Sequence, residues 1–356
     1  MKMPEMTEAL TFDDVLLVPQ ASKVVPREVS TVSQLTNKIR LNIPVMSAAM
    51  DTVTESATAI CLSQEGGIGV IHKNMTPEQQ AQEVRRVKRY EAGVVQEPLT
   101  ASLDMRLADV VRLSRDNGFS GFPVLDSDGK LCGIITNRDI RFESDAGKSV
   151  AEMMTPKERL VTVKPGTKPD ACKELFRKHR IEKLPVVDRD GYLRGMVTVR
   201  DIEQATAFPN AARDDLGRLI VAAAIGVGEK EMARFELLHA AGVDAVIVDT
   251  AHGHSAGVIS QVREIKRRYG DTIQIIGGNI ATGDAVRDLA EAGADAVKVG
   301  IGPGSICTTR MVAGVGVPQL TAVMVTSCTC DSRRPAPVMR TKRALACMAA
   351  ISLAPM

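Results

Sequence analysis

A glycine-rich loop that carries one cysteine is the part of this sequence best suited to chemistry. The short apolar run 294–299 predicts a buried strand, and the glycines and proline that follow, in residues 300–310, cannot continue it. Such a loop leaves backbone amides and carbonyls open to a ligand, and its hydroxyls and Arg310 favour an anion. Cys307 in this setting is predicted to be a reactive thiol. The competing interpretation, a small buried hydrophobic residue, is typical of cysteines elsewhere.

Polar side chains also follow the other predicted strands. These are Ser47, Asp51, His72, Asn74, Asp249, His252, His254 and Asn279. Asp249 suits either the cap of a following helix or a contact to a ribose or another polar ligand. The pair His252 and His254 is weak evidence for a metal, since no third ligand is in reach in the sequence.

The elements that must position these residues alternate between strand and helix, which is typical of a parallel sheet. Strands are predicted at 42–49, 68–72, 219–225, 243–249, 273–279 and 294–299. Helices are predicted up to residue 64 and at 76–90, 230–241, 257–269 and 283–291. The fold class is therefore α/β, and a (β/α)8 TIM-type barrel represented by about six βα units is the simplest closure. A doubly wound sheet is the alternative, although its glycine fingerprint is missing at the first strand.

A duplicated stretch interrupts this pattern. Residues 121–140 are echoed by 183–202, with Pro123 matching Pro185 and the other landmarks at the same spacing. Each copy predicts a helix, a strand, an Asp-x-Asp-Gly turn, a second strand and a Thr-x-Arg-Asp step into another helix. We therefore expect an insertion at 94–204, with halves 94–153 and 154–204, between barrel segments 1–93 and 205–323.

Composition excludes several classes of protein. The 356 residues have a net charge of +2, no tryptophan and 3% aromatic residues, which argues against a nucleic-acid or anionic membrane partner. The seven cysteines show no paired C-x-x-C spacing, so a reducing cytoplasm is favoured over a disulfide framework. No signal peptide and no membrane span are recognisable.

Several long motifs together resemble the inosine-5′-monophosphate (IMP) dehydrogenase family. They are GPGSICTTR at 302–310, LTFDDVLL at 10–17, SAAMDTVT at 47–54 and DTAHGH at 249–254. The resemblance covers roughly residues 8 to 323, and the duplicated insert resembles the tandem cystathionine-β-synthase (CBS) pair, or Bateman module, of that family.

The resemblance implies NAD-dependent oxidation of IMP to XMP in guanine nucleotide synthesis. It implies that Cys307 is the catalytic nucleophile, forming a thioimidate with the purine C2, and that Thr309 is also catalytic. The further roles that it implies are NAD binding by Asp249, Gly300, Ile301 and Gly302, substrate binding by Ser305, Met50 and Asn279, and potassium coordination by carbonyls of Gly302, Gly304 and Cys307. It also implies a homotetramer or octamer, with ATP or GTP bound by the CBS pair.

The sequence departs from the family after Val323. Residues 324–356 are rich in arginine and cysteine and show no strand-helix-strand pattern, which predicts an aberrant or disordered tail, either frame-shifted or a natural basic segment. An incomplete barrel would lack part of the nucleotide site, so impaired turnover is expected. The alternatives are a non-catalytic CBS protein that binds adenine or guanine nucleotides, and an enzyme similar to guanosine monophosphate (GMP) reductase.

Overall fold

The computed structural model describes residues 8–90, 98–117, 121–305 and 307–331. These residues form two units. The first takes residues 8–90, 210–214 and 219–331, and the second takes 98–209 and 215–218. The boundary predicted near residue 93 and most of the predicted tail, 332–356, lie outside the described residues. None of the helices described here is long and apolar enough to span a membrane.

The strands are β1 (Ser33–Gln34), β2 (Arg40–Leu41), β3 (Gly69–Ile71), β4 (Ala101–Ser102), β5 (Gly121–Leu125), β6 (Leu131–Thr136), β7 (Thr155–Pro156), β8 (Lys183–Val187), β9 (Leu193–Thr198), β10 (Val221–Ile225), β11 (Ala245–Asp249), β12 (Gln274–Ile280) and β13 (Ala296–Val299). The α-helices are α1 (Ser56–Gln64), α2 (Pro77–Arg89), α3 (Leu107–Asn117), α4 (Asn137–Ile140), α5 (Val150–Met153), α6 (Pro169–His179), α7 (Val199–Ala207), α8 (Glu229–Ala240), α9 (Ala256–Tyr269), α10 (Gly283–Ala292), α11 (Thr309–Ala313) and α12 (Gln319–Asp331). Single 3-10 turns occur at Phe12–Asp14, Pro26–Glu28, Lys157–Arg159 and Gly270–Thr272.

The first unit is built on a parallel sheet with the strand order β13-β12-β11-β10-β3. The prediction of strands at these five places is confirmed. The predicted strand at 42–49 is reduced to one parallel bridge between Met46 and Ile68. Pro44 has no backbone N–H, and the amide of Val45 donates to the carbonyl of Ile43, so a longer ladder cannot form there.

Side chains of β10 alternate between two apolar clusters. Val221, Ala223 and Ile225 belong to the larger cluster, which also holds apolar side chains of α2, α8 and α9. Ala222 and Ala224 point the other way, into a smaller cluster with residues of β3 and β11. A strand that is buried on both faces reads as a continuous apolar run, which is why residues 219–225 could be recognised without a period of two.

The helix predicted up to residue 64 is confirmed, since α1 runs from Ser56 to Gln64. Thr52 has a φ of 61° and the Thr54 hydroxyl donates to the carbonyl of Ala48, so the chain turns before it enters this helix. The prediction differs from the structure at α12, which continues past Val323 to Asp331. The prediction that irregular chain begins at residue 324 is therefore wrong for the first eight residues of that segment. Apolar and small residues there pack on α10 and extend the helix in spite of their modest helix propensity.

The second unit contains the predicted duplication. Both β5–β6 and β8–β9 are antiparallel hairpins, each with a register shift at the equivalent position before the turn. Asp126 accepts backbone hydrogen bonds across the first turn at 3.0 and 2.8 Å, and Asp188 does the same in the second turn at 3.0 and 2.9 Å. This is the side-chain bonding by which aspartate stabilises a turn.

Candidate functional site

The polar residues predicted at strand ends lie at one edge of the sheet. All the pairings among β3, β10, β11, β12 and β13 are parallel, so the carboxyl ends of these strands share an edge. His72 follows β3, Asp249 ends β11, Asn279 lies near the end of β12 and Gly300 follows β13. This is the edge at which α/β proteins bind ligands.

The glycine-rich loop is fixed by the side chain of its last residue, Arg310, and by that of Gln319 from α12. Arg310 donates to the carbonyls of Ile301 and Val317, and Gln319 donates to the carbonyl of Val299 at 3.0 Å. A Cβ added at Gly300 would lie 2.7 Å from Oε1 of Gln319, and one added at Gly302 would lie 2.9 Å from Cγ of Arg310. The loop therefore needs glycine at both positions to let these side chains in.

The thiol of Cys307 is exposed at the far side of this loop. Its Sγ lies 3.2 Å from Oγ1 of Thr309, and its amide donates to the carbonyl of Gly304 at 3.0 Å. Hydrogen bonds from the Thr309 side chain and backbone lower the pKa of Cys307, and the charge of Arg310 contributes further. Hydrogen bonding and a nearby cation both favour the thiolate, the nucleophilic form. These surroundings favour the thiolate form of Cys307.

Asp249 is held by two lysines. Nζ of Lys298, on β13, lies 3.1 Å from Oδ1 of Asp249, and Nζ of Lys73 donates to its backbone carbonyl at 2.8 Å. The alternative that Asp249 only caps the next helix finds no support among the described contacts, because α9 begins at Ala256 with Ser255 as its N-cap. The carboxylate is partly buried and lies at the edge of the sheet formed by the carboxyl ends of the strands.

Asn279 and Met50 differ in burial and in hydrogen bonding. The backbone of Asn279 is bonded to Thr250 and Gly253, and its side-chain Oδ1 is buried without a hydrogen-bond partner in the described part of the chain. Met50 is exposed, and its carbonyl accepts from the two amides that close the turn before α1. Ser305 lies exposed in the glycine-rich loop. Ile306 beside it lies outside the described residues.

The predicted metal sites differ in their support. His254 pairs with Asp288 at 2.7 Å, and its ring centre is 6.5 Å from that of His252. Across residues 8–331, apart from the undescribed gaps, no three His, Cys, Asp or Glu side chains converge as metal ligands. The potassium interpretation uses carbonyls instead, of which that of Gly304 already accepts one hydrogen bond, from Cys307.

Sequence reasoning did not single out Lys298, Lys73 or Glu55 at this edge. Lys298 carried a signal that could have been used, because it interrupts an otherwise apolar run and a buried lysine needs a partner. Glu55 carried no such signal. Its carboxylate lies 3.7 Å from the imidazole of His72, and the sequence spacing of the two residues does not predict this proximity.

Comparisons with known proteins converge on one family. The family profile described as "IMP dehydrogenase / GMP reductase domain" matches residues 9–340, which continues past Val323. The inosine-5′-monophosphate dehydrogenase of Haemophilus influenzae is 54% identical over 316 residues, 89% of this chain and 64% of that protein. The Escherichia coli protein of the same name is 55% identical over 316 residues, with the same two coverages. The chain therefore spans just under two thirds of the length of these relatives.

Solved structures show the same fold. GMP reductase from Trypanosoma brucei, in complex with guanosine 5′-triphosphate, superposes with a TM-score of 0.78 at 36% identity, over 92% of this chain and 79% of that one. A cysteine-to-alanine variant of that enzyme, in complex with guanosine 5′-monophosphate, gives 0.77 at 36% identity, over 92% and 70%. The barrel-type α/β fold expected from the sequence is confirmed at this level.

Proposed function

Because this chain belongs to the IMP dehydrogenase / GMP reductase family, we propose that it acts on IMP through Cys307, in the NAD-dependent oxidation to XMP. The observation that carries the proposal is the exposed thiol of Cys307 with its pKa lowered by Thr309, in a glycine-rich loop at the carboxyl end of β13. A thiolate placed where a ligand can reach it is the requirement for nucleophilic attack on the purine ring.

In the proposed reaction the thiolate of Cys307 forms a bond to C2 of the purine, and hydride leaves that carbon. Water then adds to the resulting thioimidate, and the C–S bond breaks to release XMP and the thiol. Thr309 stabilises the thiolate by its hydrogen bond before attack and receives the leaving thiolate in the same way. Arg310 holds the loop that carries both residues.

The residues at this edge suit NAD. NAD, when bound, would accept the hydride. The Asp249 carboxylate, oriented by Lys298, would accept hydrogen bonds from ribose hydroxyls, and Gly300, Ile301 and Gly302 would offer backbone groups to the same ligand. The buried, unpartnered Oδ1 atom of Asn279 supports its role as a substrate contact, because a buried acceptor without a donor is costly unless a ligand satisfies it.

Substrate binding also draws on Ser305 and Met50. The exposed hydroxyl of Ser305, beside loop amides, would hold the IMP phosphate, and the exposed Met50 would pack on the purine. Potassium would be coordinated by the carbonyls of Gly302, Gly304 and Cys307. The glycine-rich loop suits a large monovalent ion because carbonyl oxygens are its preferred ligands.

Protection of Cys307 from alkylation tests this proposal. Iodoacetamide labelling followed by peptide mass spectrometry should show slower modification of Cys307 when IMP is present, while exposed Cys61 in the same sample labels at an unchanged rate. Equal labelling of Cys307 with and without saturating IMP would contradict the proposal.

A GMP reductase activity is the second candidate, because solved structures of a GMP reductase superpose on this chain. The higher identity to IMP dehydrogenases favours oxidation of IMP. The two are separated by ligand preference: protection of Cys307 by GMP, stronger than that by IMP at the same concentration, would favour the reductase.

The duplicated second unit supports a regulatory role. Its matching hairpins and turns are what a tandem CBS pair requires, and we infer that it binds ATP or GTP between its halves. It also provides the alternative of a non-catalytic nucleotide-binding protein. A nucleotide-dependent rise in the melting temperature without protection of Cys307 by IMP would favour that alternative. Assembly into tetramers or octamers belongs to the same proposal and is measured by analytical ultracentrifugation.

A further inference from the structure

A buried imidazole without a hydrogen-bond partner lies beside the turn that precedes α1. His72 is 3% exposed, and its Nε2 has no hydrogen-bond partner among the described residues. Oε1 of Glu55 lies 3.7 Å and Oδ1 of Asp51 3.8 Å from this nitrogen, both beyond hydrogen-bond distance. The two carboxylates are largely exposed, so this gap is reached from solvent.

The tautomer of His72 follows from its other nitrogen. The backbone amide of Asn74 donates to Nδ1 at 3.1 Å, so Nδ1 acts as an acceptor. In a neutral imidazole one nitrogen accepts and the other donates, which places the proton on Nε2. The side chain of Asn74 also donates to Oδ2 of Asp51 at 2.6 Å and fixes that carboxylate. The gap is therefore lined by one hydrogen-bond donor, the Nε2–H of His72, and by two acceptors, the carboxylates of Glu55 and Asp51.

This pattern selects the chemistry of a ligand. A metal ion is disfavoured because the N–H of His72 points at it, and phosphate is disfavoured by the two carboxylates. A hydroxyl group fits, because its oxygen accepts from Nε2 and its proton is donated to Glu55 or Asp51. At 3.7 and 3.8 Å the imidazole makes no direct hydrogen bond to either carboxylate, and the exposed side chains of Glu55 and Asp51 can move apart to admit a bridging oxygen.

The position of the gap indicates which hydroxyl. Lys73, the next residue along the chain, donates to the carbonyl of Asp249 at 2.8 Å, and β3 lies two strands from β11, so the gap is at the same edge of the sheet as the proposed dinucleotide contact. We propose that Glu55, Asp51 and His72 form a binding site for a ribose hydroxyl of a bound nucleotide. This inference rests on the proposed function only for the identity of the nucleotide. The hydroxyl would belong either to the ribose of IMP or to one of the riboses of NAD.

Glu55→Gln is the most direct variant. It keeps the shape of an exposed side chain that makes no capping hydrogen bond to α1, so folding is not at risk. The matched control is Glu65→Gln, an exposed glutamate at the opposite end of the same helix. Affinities of the full chain for IMP, NAD and their 2′- and 3′-deoxy ribose forms are measured by calorimetry.

The site predicts a specific pattern of affinities. Glu55→Gln should weaken binding of one of the two nucleotides about tenfold, as expected for one hydrogen bond to a charged acceptor. When one ribose hydroxyl is removed from that nucleotide, the affinity of wild type should fall by a similar factor. The affinity of Glu55→Gln should fall little further on the same removal. Glu65→Gln should bind like wild type. Equal affinities in Glu55→Gln and Glu65→Gln for both nucleotides would overturn the inference.

A second readout follows His72 itself. The chain has five histidines, so the Nε2–H signal of His72 in a ¹⁵N-histidine spectrum can be assigned by its loss in His72→Gln. The nucleotide that binds here should shift this signal, and no shift at saturation would show that water alone fills the gap and overturn the inference. If IMP protects Cys307 from alkylation but neither nucleotide shifts the His72 signal, only the ribose site is contradicted. If NAD shifts the His72 signal but IMP does not protect Cys307, only the proposed function is contradicted.

Discussion

At the scale of single residues, the reactivity of this chain depends on what surrounds an exposed thiol. Cys307 is not buried, so its pKa is lowered mainly by hydrogen bonds from Thr309, with Arg310 adding a positive charge. Because the sulfur is open to solvent, small ligands and reagents reach the thiolate directly. Cys307 thus has hydrogen bonds and a cation that favour the thiolate, and an exposed sulfur, as the proposed nucleophile requires.

The first prediction concerns Thr309→Val. Loss of the hydroxyl raises the pKa of Cys307 toward its ordinary value, so the thiolate fraction at neutral pH falls and the midpoint of the alkylation rate moves to higher pH. Iodoacetamide rates between about pH 5 and 10 measure it, a range that brackets the ordinary pKa of a thiol. Thr308→Val is the matched control, because Thr308 makes no side-chain cap bond to α11. An unchanged midpoint in Thr309→Val would refute the role given to this hydrogen bond.

The second prediction concerns Lys298→Met. Both Lys298 and Asp249 are about four-fifths buried, so removal of the ammonium leaves a carboxylate with poor solvation and should destabilise the first unit by about 1–3 kcal/mol. Urea unfolding measures the loss, and Asp249→Asn in the same chain should recover part of it. Arg287→Met removes an exposed pair with Asp284 and should change stability by less than about 0.5 kcal/mol. Equal losses of unfolding free energy for the two substitutions would show that the buried pair stabilises the fold no more than the exposed pair does.

At the scale of elements, the glycine-rich loop is shaped by α12 as much as by its own sequence. Gln319, at the start of that helix, bonds the last residue of β13 and fills the space beside Gly300, which has a φ of 137°. Only glycine adopts this backbone region without strain and also leaves room for the amide. The helix therefore determines where the loop leaves the strand.

The third prediction is that Gly300→Ala destabilises the first unit by about 2–4 kcal/mol, from backbone strain together with the clash with Gln319. Gly314→Ala is the control, because that glycine also has positive φ but nothing within 4 Å of an added Cβ, and it should cost about 1 kcal/mol. Urea denaturation compares the two. Costs within error of one another would contradict the packing explanation.

At the scale of the whole molecule, a buried ion cluster joins segments of the first unit that the second unit separates in sequence. Lys88, on α2, is 4% exposed and bonds Asp214 at 3.0 Å and Asp244 at 2.6 Å, as well as the carbonyl of Leu219. Residue 88 precedes the main part of the second unit in the chain, and its three partners follow it. The cluster therefore closes the first unit around the point of insertion.

The fourth prediction is that Lys88→Met lowers the unfolding free energy of the first unit by about 3–5 kcal/mol, because two buried carboxylates lose their shared cation. Differential scanning calorimetry should show the transition of the first unit moving down while that of the second stays in place. Arg287→Met, on the exposed face of α10, removes a pair whose partner Asp284 is itself exposed and should shift neither transition by more than about one degree. An unchanged transition of the first unit in Lys88→Met would contradict the role given to this cluster.

Sequence patterns located most of the fold. Continuous apolar runs marked β10 and β11 because strands buried on both faces need no alternation, and the repeat of residues 121–140 at 183–202 located two hairpins at once. The strand at 42–49 was overestimated because its ladder is cut short near Pro44. Helix α12 was missed because its weak propensity is overridden by packing on α10.

The sequence by itself determined the residues whose types suit the proposed chemistry, Cys307 in its glycine-rich loop and Asp249 and Asn279 at strand ends, since residue type and local spacing are read along the chain. Only the tertiary structure decided which charged and polar side chains lie close to one another. The pairing of Lys298 with Asp249, and the gap between Glu55 and His72, join residues on different elements. Their distances depend on strand register and helix packing, which act between segments that are remote in sequence.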